Sequence, residues 1–185
     1  MAVKTFTTGE VLTAADTNTY LANAGFVYVS SGTFTNAASF DVTGFSSAYD
    51  FYQLFLTIQT NAAATSSTVT AVIYSGATAR NTTYYGGQWY VNNFGGSGTY
   101  GVRNNGANFA VTVTTGTQPS FVNAFILGVD NLDFNINLQN MDNQTVAATM
   151  GSYSNYAATN SFDMIRFSGS ANVKGYWNLS GMRKG

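Results

Sequence analysis

The sequence predicts an all-β protein: an antiparallel β-sandwich of about ten strands, preceded by a short N-terminal helix. The first observation behind this fold class is composition. Only 8% of the residues are charged, and the polarity comes instead from Thr, Ser, Asn and Gly. Threonine suits a pleated strand, and the other three supply turn geometry. The second observation is that apolar residues alternate with polar ones along several segments, which is the period of a half-buried strand.

The 185 residues suit one domain, and we divide them into a docking segment, 1–25, and a β-body, 26–185. Thr13 stands at an N-cap position, and Asp16 lies three residues later, where a carboxylate favours the positive end of a helix. The sequence therefore predicts a helix over residues 14–24. Such a short, weakly amphipathic helix is marginal alone and needs a neighbour to pack against.

Strand periodicity follows the helix. Residues 122–129 are almost continuously apolar, which predicts a central strand buried on both faces, and Pro119 can start this strand without costing a ladder hydrogen bond. The other predicted strands are 26–29, 51–59, 68–74, 84–90, 109–114, 134–138, 164–168 and 173–179.

Charge and cysteine content exclude several classes of protein. The net charge is −1 and Lys and Arg form no cluster, which argues against nucleic-acid binding and against a polybasic membrane patch. A near-neutral surface has little self-repulsion and favours an assembly subunit. Without cysteine there are no disulfides and no thiolate metal sites. We find neither a signal peptide nor an apolar run long enough to span a membrane, and we expect the chain to fold in the cytoplasm where it is made.

Catalytic equipment is sparse. The chain has no histidine, which removes the commonest general base and every Ser-His arrangement, so we expect neither an enzyme nor a cofactor. A carboxylate pair could still hydrolyse a glycosidic bond, although Asp at strand ends more often caps turns. The candidate carboxylates are Asp41, Asp50, Asp130, Asp133, Asp142 and Asp163.

Two adjacent turns, 130–133 and 140–143, concentrate the hard oxygen ligands that calcium prefers. Asp130, Asp133 and Asp142 are weak candidates for such a site. The spacing does not match an EF-hand, and Asx residues in turns have a sufficient local explanation. We therefore expect no metal.

The segment 84–108 is rich in aromatic residues, Asn and Gly, and has three interpretations. Its aromatic side chains could pack at the edge of the core, contact identical neighbouring subunits, or stack on sugars while amides bond to hydroxyl groups. The candidate surface and glycan contacts are Tyr85, Trp89, Tyr90, Phe94 and Tyr100.

The N-terminal segment resembles the start of many small bacteriophage virion proteins, described as tail-fibre, minor-tail or structural proteins. In these an F-x-x-G-x-x-L-x-A-x-D-x-N-x-Y-L segment precedes a β-rich body. Residues 165–183 look like the closing hairpin of the same proteins. The pattern is filled here by Phe6, Gly9, Leu12, Ala14, Asp16, Asn18, Tyr20 and Leu21.

The resemblance implies a homotrimer with a jelly-roll-like body on the virion, and no catalytic residues. It favours a tail-associated fibre or receptor-binding protein whose N-terminus joins other virion proteins and whose body contacts a host-surface glycan. A capsid decoration protein or head fibre stays open, and a polysaccharide depolymerase is disfavoured. The docking residues would be Phe6, Leu12, Asp16, Asn18, Tyr20 and Leu21.

Overall fold

A computed structural model gives the fold of the chain. For the strands between residues 84 and 113 and between 134 and 155 it describes the backbone and its pairing alone. The described residues are 7–11, 13–16, 25–61, 67–80, 84–91, 99–106, 109–113, 119–127, 134–141, 148–155 and 162–183.

One helical turn and eleven strands make up the described secondary structure. They are α1 (Ala14–Asp16), β1 (Phe26–Thr43), β2 (Tyr49–Thr60), β3 (Ser67–Ser75), β4 (Thr78–Arg80), β5 (Tyr84–Val91), β6 (Thr99–Gly106), β7 (Phe109–Val113), β8 (Ser120–Leu127), β9 (Phe134–Met141), β10 (Ala148–Asn155) and β11 (Met164–Arg183).

All eleven strands belong to one antiparallel sheet. Its order is β4-β3-β11-β2-β8-β9-β10-β5-β6, while β1 pairs with β11 and β7 pairs with β3. The predicted all-β class is therefore confirmed. The sandwich, the jelly-roll connectivity and the number of strands stay predictions, as does the helix beyond Asp16, because residues 17–24 lie outside the described ones. Within the described residues no helix has the length and apolarity needed to cross a membrane.

Strand β11 joins two segments that the sequence separates. Strands predicted at 164–168 and 173–179 are parts of one strand of 20 residues. The closing hairpin expected over 165–183 is wrong, because this strand pairs with β1, β2 and β3 and not with itself. The Gly-Ser-Ala-Asn sequence of 169–172, which resembles a turn, is instead an irregularity in the ladder opposite Ala38 of β1.

The ribbon of β1 and β11 is shared by two parts of the sheet. Val173–Arg183 pairs with β2, whereas Met164–Gly169 pairs with β3. The register shifts of β1 between Phe34 and Ser39 lie at the point where the second neighbour of β11 changes from β2 to β3. Such bulges bend and twist a strand. The buried side chains of both parts belong to a single hydrophobic cluster, so the bent ribbon joins them around one core.

Among the strands whose side chains are described, β1, β2, β3, β8 and β11 contribute residues to the core. In β2, Tyr52, Leu54, Leu56 and Ile58 are buried, as the alternation in the sequence predicts. The hydroxyl group of Tyr52 donates to the carbonyl oxygen of Ser46 (2.8 Å) and accepts from its amide (2.6 Å). The buried phenol thus has a polar partner, which buried Tyr usually requires.

An asparagine cluster holds the irregular part of the ribbon. Asn36 has a φ of 50°, in the left-handed region that Asn tolerates better than most residues. Its Oδ1 accepts hydrogen bonds from Nδ2 of Asn61 (2.9 Å) and Nδ2 of Asn172 (3.0 Å), and the amide of Asn61 donates to the carbonyl oxygen of Asn172 (2.9 Å). The cluster therefore ties β1 and β11 to the end of β2.

Replacing Asn36 by alanine should lower the free energy of unfolding by about 1–2 kcal/mol, because alanine tolerates this φ less well than asparagine and both side-chain hydrogen bonds are lost. Replacement by glycine removes the same bonds without the strain and should cost less. Urea denaturation of both variants checks this. Equal losses for Asn36→Ala and Asn36→Gly would contradict the left-handed conformation.

Candidate functional site

Strand β8 has one buried face and one exposed face. Val122, Ala124 and Ile126 are buried, whereas Phe121 and Leu127 are 51% and 46% exposed. The prediction that this strand is buried on both faces is therefore wrong. The run is apolar on both sides, but the core covers only the side that carries the even-numbered residues.

The exposed side of β8 continues across β2 and β11 to β1. We use the name aromatic face for sixteen outward positions of these four strands, a set that ends one row before Gln59 and Lys174. The strand register aligns them in four rows, which are Phe26–Met182–Phe51–Leu127, Tyr28–Ser180–Gln53–Phe125, Ser31–Asn178–Phe55–Asn123 and Thr33–Tyr176–Thr57–Phe121.

Exposed large hydrophobic side chains are concentrated on this face. Among the residues whose side-chain exposure the structure describes, Val11 is the single one that lies elsewhere. None of the sixteen positions is charged. Singly scattered apolar residues are normal on a surface, but a contiguous patch marks a contact site. The seven on the aromatic face are Phe26, Tyr28, Phe55, Phe121, Leu127, Tyr176 and Met182.

Tyr176 stands between two hollows. One, of about 380 Å³, lies on its β2–β8 side and is lined in part by Phe55, Phe121 and Asn123. The other, of about 440 Å³, lies on its β1 side, against residues 31–33. Tyr176 is 53% exposed, so its ring forms a ridge that separates the two hollows.

The polar side chains of the aromatic face bond mainly to one another. Nε2 of Gln53 donates to Oδ1 of Asn123 at 3.3 Å, and Oγ of Ser180 donates to Oδ1 of Asn178 at 3.5 Å. A third pair joins the hydroxyl groups of Tyr28 and Ser31 at 3.1 Å. Each bond satisfies one donor and one acceptor, which lowers the cost of burying these side chains.

Ring contacts connect the row that begins at Phe26 with Phe125 of the next row. The centroids of Phe26 and Phe51 lie 5.4 Å apart, and those of Phe51 and Phe125 lie 5.5 Å apart. Both distances fall in the range of favourable aromatic pairs. The face is therefore a packed surface on paired strands, and it presents a defined shape.

Two of the candidate carboxylates, Asp41 and Asp163, bond to neighbouring strands and turns. Asp41 receives two hydrogen bonds from Arg166, from Nε at 2.7 Å and from Nη2 at 2.8 Å. This bonding raises the pKa of Arg166 above its usual range, so the guanidinium stays charged. Both side chains are more than a third exposed, so the pair contributes about 0.2–1 kcal/mol. Both oxygens of Asp163 accept the amide of Gly76 in the β3–β4 turn.

The metal candidates Asp130, Asp133 and Asp142 lie outside the described residues. Where the structure is described, no three Asp, Glu, His or Cys residues form a group that could hold a metal ion.

The structure places most of the predicted glycan contacts on one hairpin. Tyr85, Trp89 and Tyr90 belong to β5 and Tyr100 to β6, two paired strands at an end of the sheet order. Phe94 lies outside the described residues. Strands β9 and β10 separate this hairpin from β8, so these residues belong to a different region from the aromatic face.

Of the predicted docking residues, Asp16 ends the helical turn α1. The other five lie outside the described part of the chain: Phe6, Leu12, Asn18, Tyr20 and Leu21.

Sequence reasoning missed the aromatic face, although a signal was present. Around the predicted strand 51–59, the positions opposite the core carry Phe51 and Phe55 as well as Gln53 and Thr57. A solvated face would carry polar residues throughout. Large aromatic residues on the side opposite a clear core face indicate a second contact surface.

Comparisons with known proteins add no identity. No family model, no curated protein and no solved structure matches the chain. What the protein does is therefore inferred from its surfaces.

Proposed function

We propose that the chain is a non-enzymatic structural subunit of a bacteriophage particle, a tail-associated fibre or receptor-binding protein with a β-sandwich body. The observation that carries the proposal is the aromatic face: a broad, uncharged sheet surface suited to contact with protein. The resemblance of residues 6–21 to phage virion proteins supports the particle as its location.

The N-terminal segment and the β5–β6 hairpin have separate roles. Residues 1–25 join the body to other virion proteins, with Asp16 and its neighbours as the docking pattern. The β5–β6 hairpin, which carries Trp89 and Tyr100 at an end of the sheet order, contacts a glycan of the host surface. This division is supported by the separation of the hairpin from the aromatic face by β9 and β10.

Removing residues 1–24 should abolish incorporation into particles while the β-body still folds. The buried core residues that the structure describes lie between Phe34 and Leu179, so the deletion removes none of them. Immunogold labelling of particles made with the full-length and the shortened chain measures incorporation, and the far-ultraviolet spectrum of the purified shortened chain reports folding. Normal incorporation of a folded, shortened chain would refute the docking role.

The same labelling locates the protein on the particle. Gold on the tail supports the proposal, whereas dense gold over the head would replace it with a capsid decoration protein or head fibre. Substituting Trp89 by alanine tests host contact: adsorption should fall, while a Thr78→Ala control at an exposed position of β4, outside both the hairpin and the aromatic face, should leave adsorption unchanged. Unchanged adsorption of a folded Trp89→Ala particle would contradict a glycan site on β5.

A further inference from the structure

The aromatic face exposes a large, contiguous apolar surface to water. Its seven exposed hydrophobic side chains span four strands. A large hydrophobic side chain has about 150–250 Å² of surface, so seven of them at half exposure offer roughly 700 Å². A standard protein interface buries about 800 Å² on each partner. The face therefore has the area of a stable protein contact.

Charge narrows the choice of partner. The face carries no charged residue, and the chain as a whole has a net charge of −1. Lys174 lies next to the last row, paired with Gln59, and Arg183 follows Met182 at the opposite end. A charged partner would find no complementary group between them. An equally uncharged surface fits, and the chain itself provides one.

The hydrogen bonds on the face reduce the number of groups available to a sugar. A glycan is recognised by donors and acceptors that reach its hydroxyl groups, and six side chains use part of this capacity on one another: Gln53 bonds to Asn123, Ser180 to Asn178 and Tyr28 to Ser31. Partial pairing within the face lowers the cost of covering it with another protein surface.

We propose that the aromatic face is a homotypic interface, packed against the same face of further copies of this chain. The ridge of Tyr176 enters a hollow beside the Tyr176 of the neighbouring copy, where Phe55 and Phe121 line the wall. The inference rests on the proposed function only in treating the face as a contact surface, and it is independent of attachment to a phage.

Sedimentation velocity and light scattering of the purified full-length chain test the proposal. The expected result is an oligomer whose mass is a multiple of 19.7 kDa. The double variant Phe55→Lys/Tyr176→Lys places two charges at the centre of the interface and should weaken association at least about 100-fold. A neutral variant, Phe55→Ser/Phe121→Ser, should weaken it in the same direction without added charge.

The matched control is Ser39→Lys/Thr78→Lys, which adds the same two charges at exposed positions of β1 and β4 outside the face. It should remain an oligomer. Circular dichroism and thermal melting show whether each variant is folded. A monomeric wild-type chain, or a folded Phe55→Lys/Tyr176→Lys variant that stays oligomeric, would overturn the proposal. Since Trp177 lines the second hollow and Trp89 lies in the β5–β6 hairpin, the reporter is a Trp89→Phe chain. A monomer of this variant whose tryptophan fluorescence responds to a neutral glucose oligosaccharide would show a glycan site on the face instead. If immunogold does not label the particles but the purified chain forms the oligomer, the proposed role in the virion is refuted and the homotypic interface stands.

Discussion

Replacing Gly175 by alanine is expected to lower the free energy of unfolding by at least about 3 kcal/mol. Gly175 lies on β11 opposite Ile58 of β2. A Cβ added there would overlap the backbone carbonyl oxygen of Thr57 and come within 2.8 Å of Cζ of Phe34. A backbone atom in a paired strand cannot move without disturbing the ladder, so β2 and β11 would have to separate. Urea denaturation of wild type and variant measures the loss.

Gly181→Ala is the matched control on the same strand. Its Cβ would lie 2.5 Å from Cδ1 and 2.8 Å from Cγ of Tyr49, so the partly buried side chain has to shift about χ1, which costs less than moving a paired strand. The Gly181 variant should therefore lose clearly less stability than the Gly175 variant. If Gly175→Ala were as stable as wild type, the close approach of β11 to β2 would be wrong.

The strands whose position depends on local sequence pattern could be predicted from the sequence. The alternation of Tyr52, Leu54, Leu56 and Ile58 predicted a strand with one buried face, and all four are buried. Period two fixes which residues share a face before any partner is known. The same reasoning located segments of β3, β7 and β9.

Pairing over long distances could not be predicted. Most of β1 beyond Val29 is small or polar, with the sequence Ser-Ser-Gly-Thr near its start, and only a short strand, 26–29, was expected there. It is extended as far as Thr43 because β11, far away in the sequence, supplies hydrogen-bond partners along its length. Strand propensity depends strongly on such neighbours, and a single sequence does not reveal them.

The candidate site escaped prediction for the same reason. The apolar run of β8 is compatible with burial on both faces or on one, and only the position of the other strands decides between them. Phe121 and Phe125 point to the face that the core leaves open, next to Phe55 and Gln53 of β2. The sequence contains the aromatic residues, but it does not show that they share a surface, because the surface depends on the register between paired strands.

Replacing Phe40 by alanine should cost about 3–5 kcal/mol of unfolding free energy. Phe40 is 8% exposed, and its ring stacks on Phe34 at 3.8 Å and on Phe167 at 5.1 Å between centroids. Phe34 belongs to the segment of β1 that accompanies the β2-paired half of β11, and Phe167 belongs to the half paired with β3. The ring of Phe40 thus bridges the two parts of the sheet, and its removal leaves a cavity where they meet.

The control is Phe40→Leu, which keeps most of the buried volume and loses mainly the ring stacking, so its cost should be clearly smaller. Both variants are compared by urea denaturation and by amide hydrogen exchange. Because Phe40 joins the parts, Phe40→Ala should speed exchange in β3 and in the Met164–Gly169 half of β11 more than in β2. If amide exchange accelerated equally in β2 and β3, or if the loss of unfolding free energy were below about 1 kcal/mol, residues other than Phe40 would hold the two parts of the sheet together.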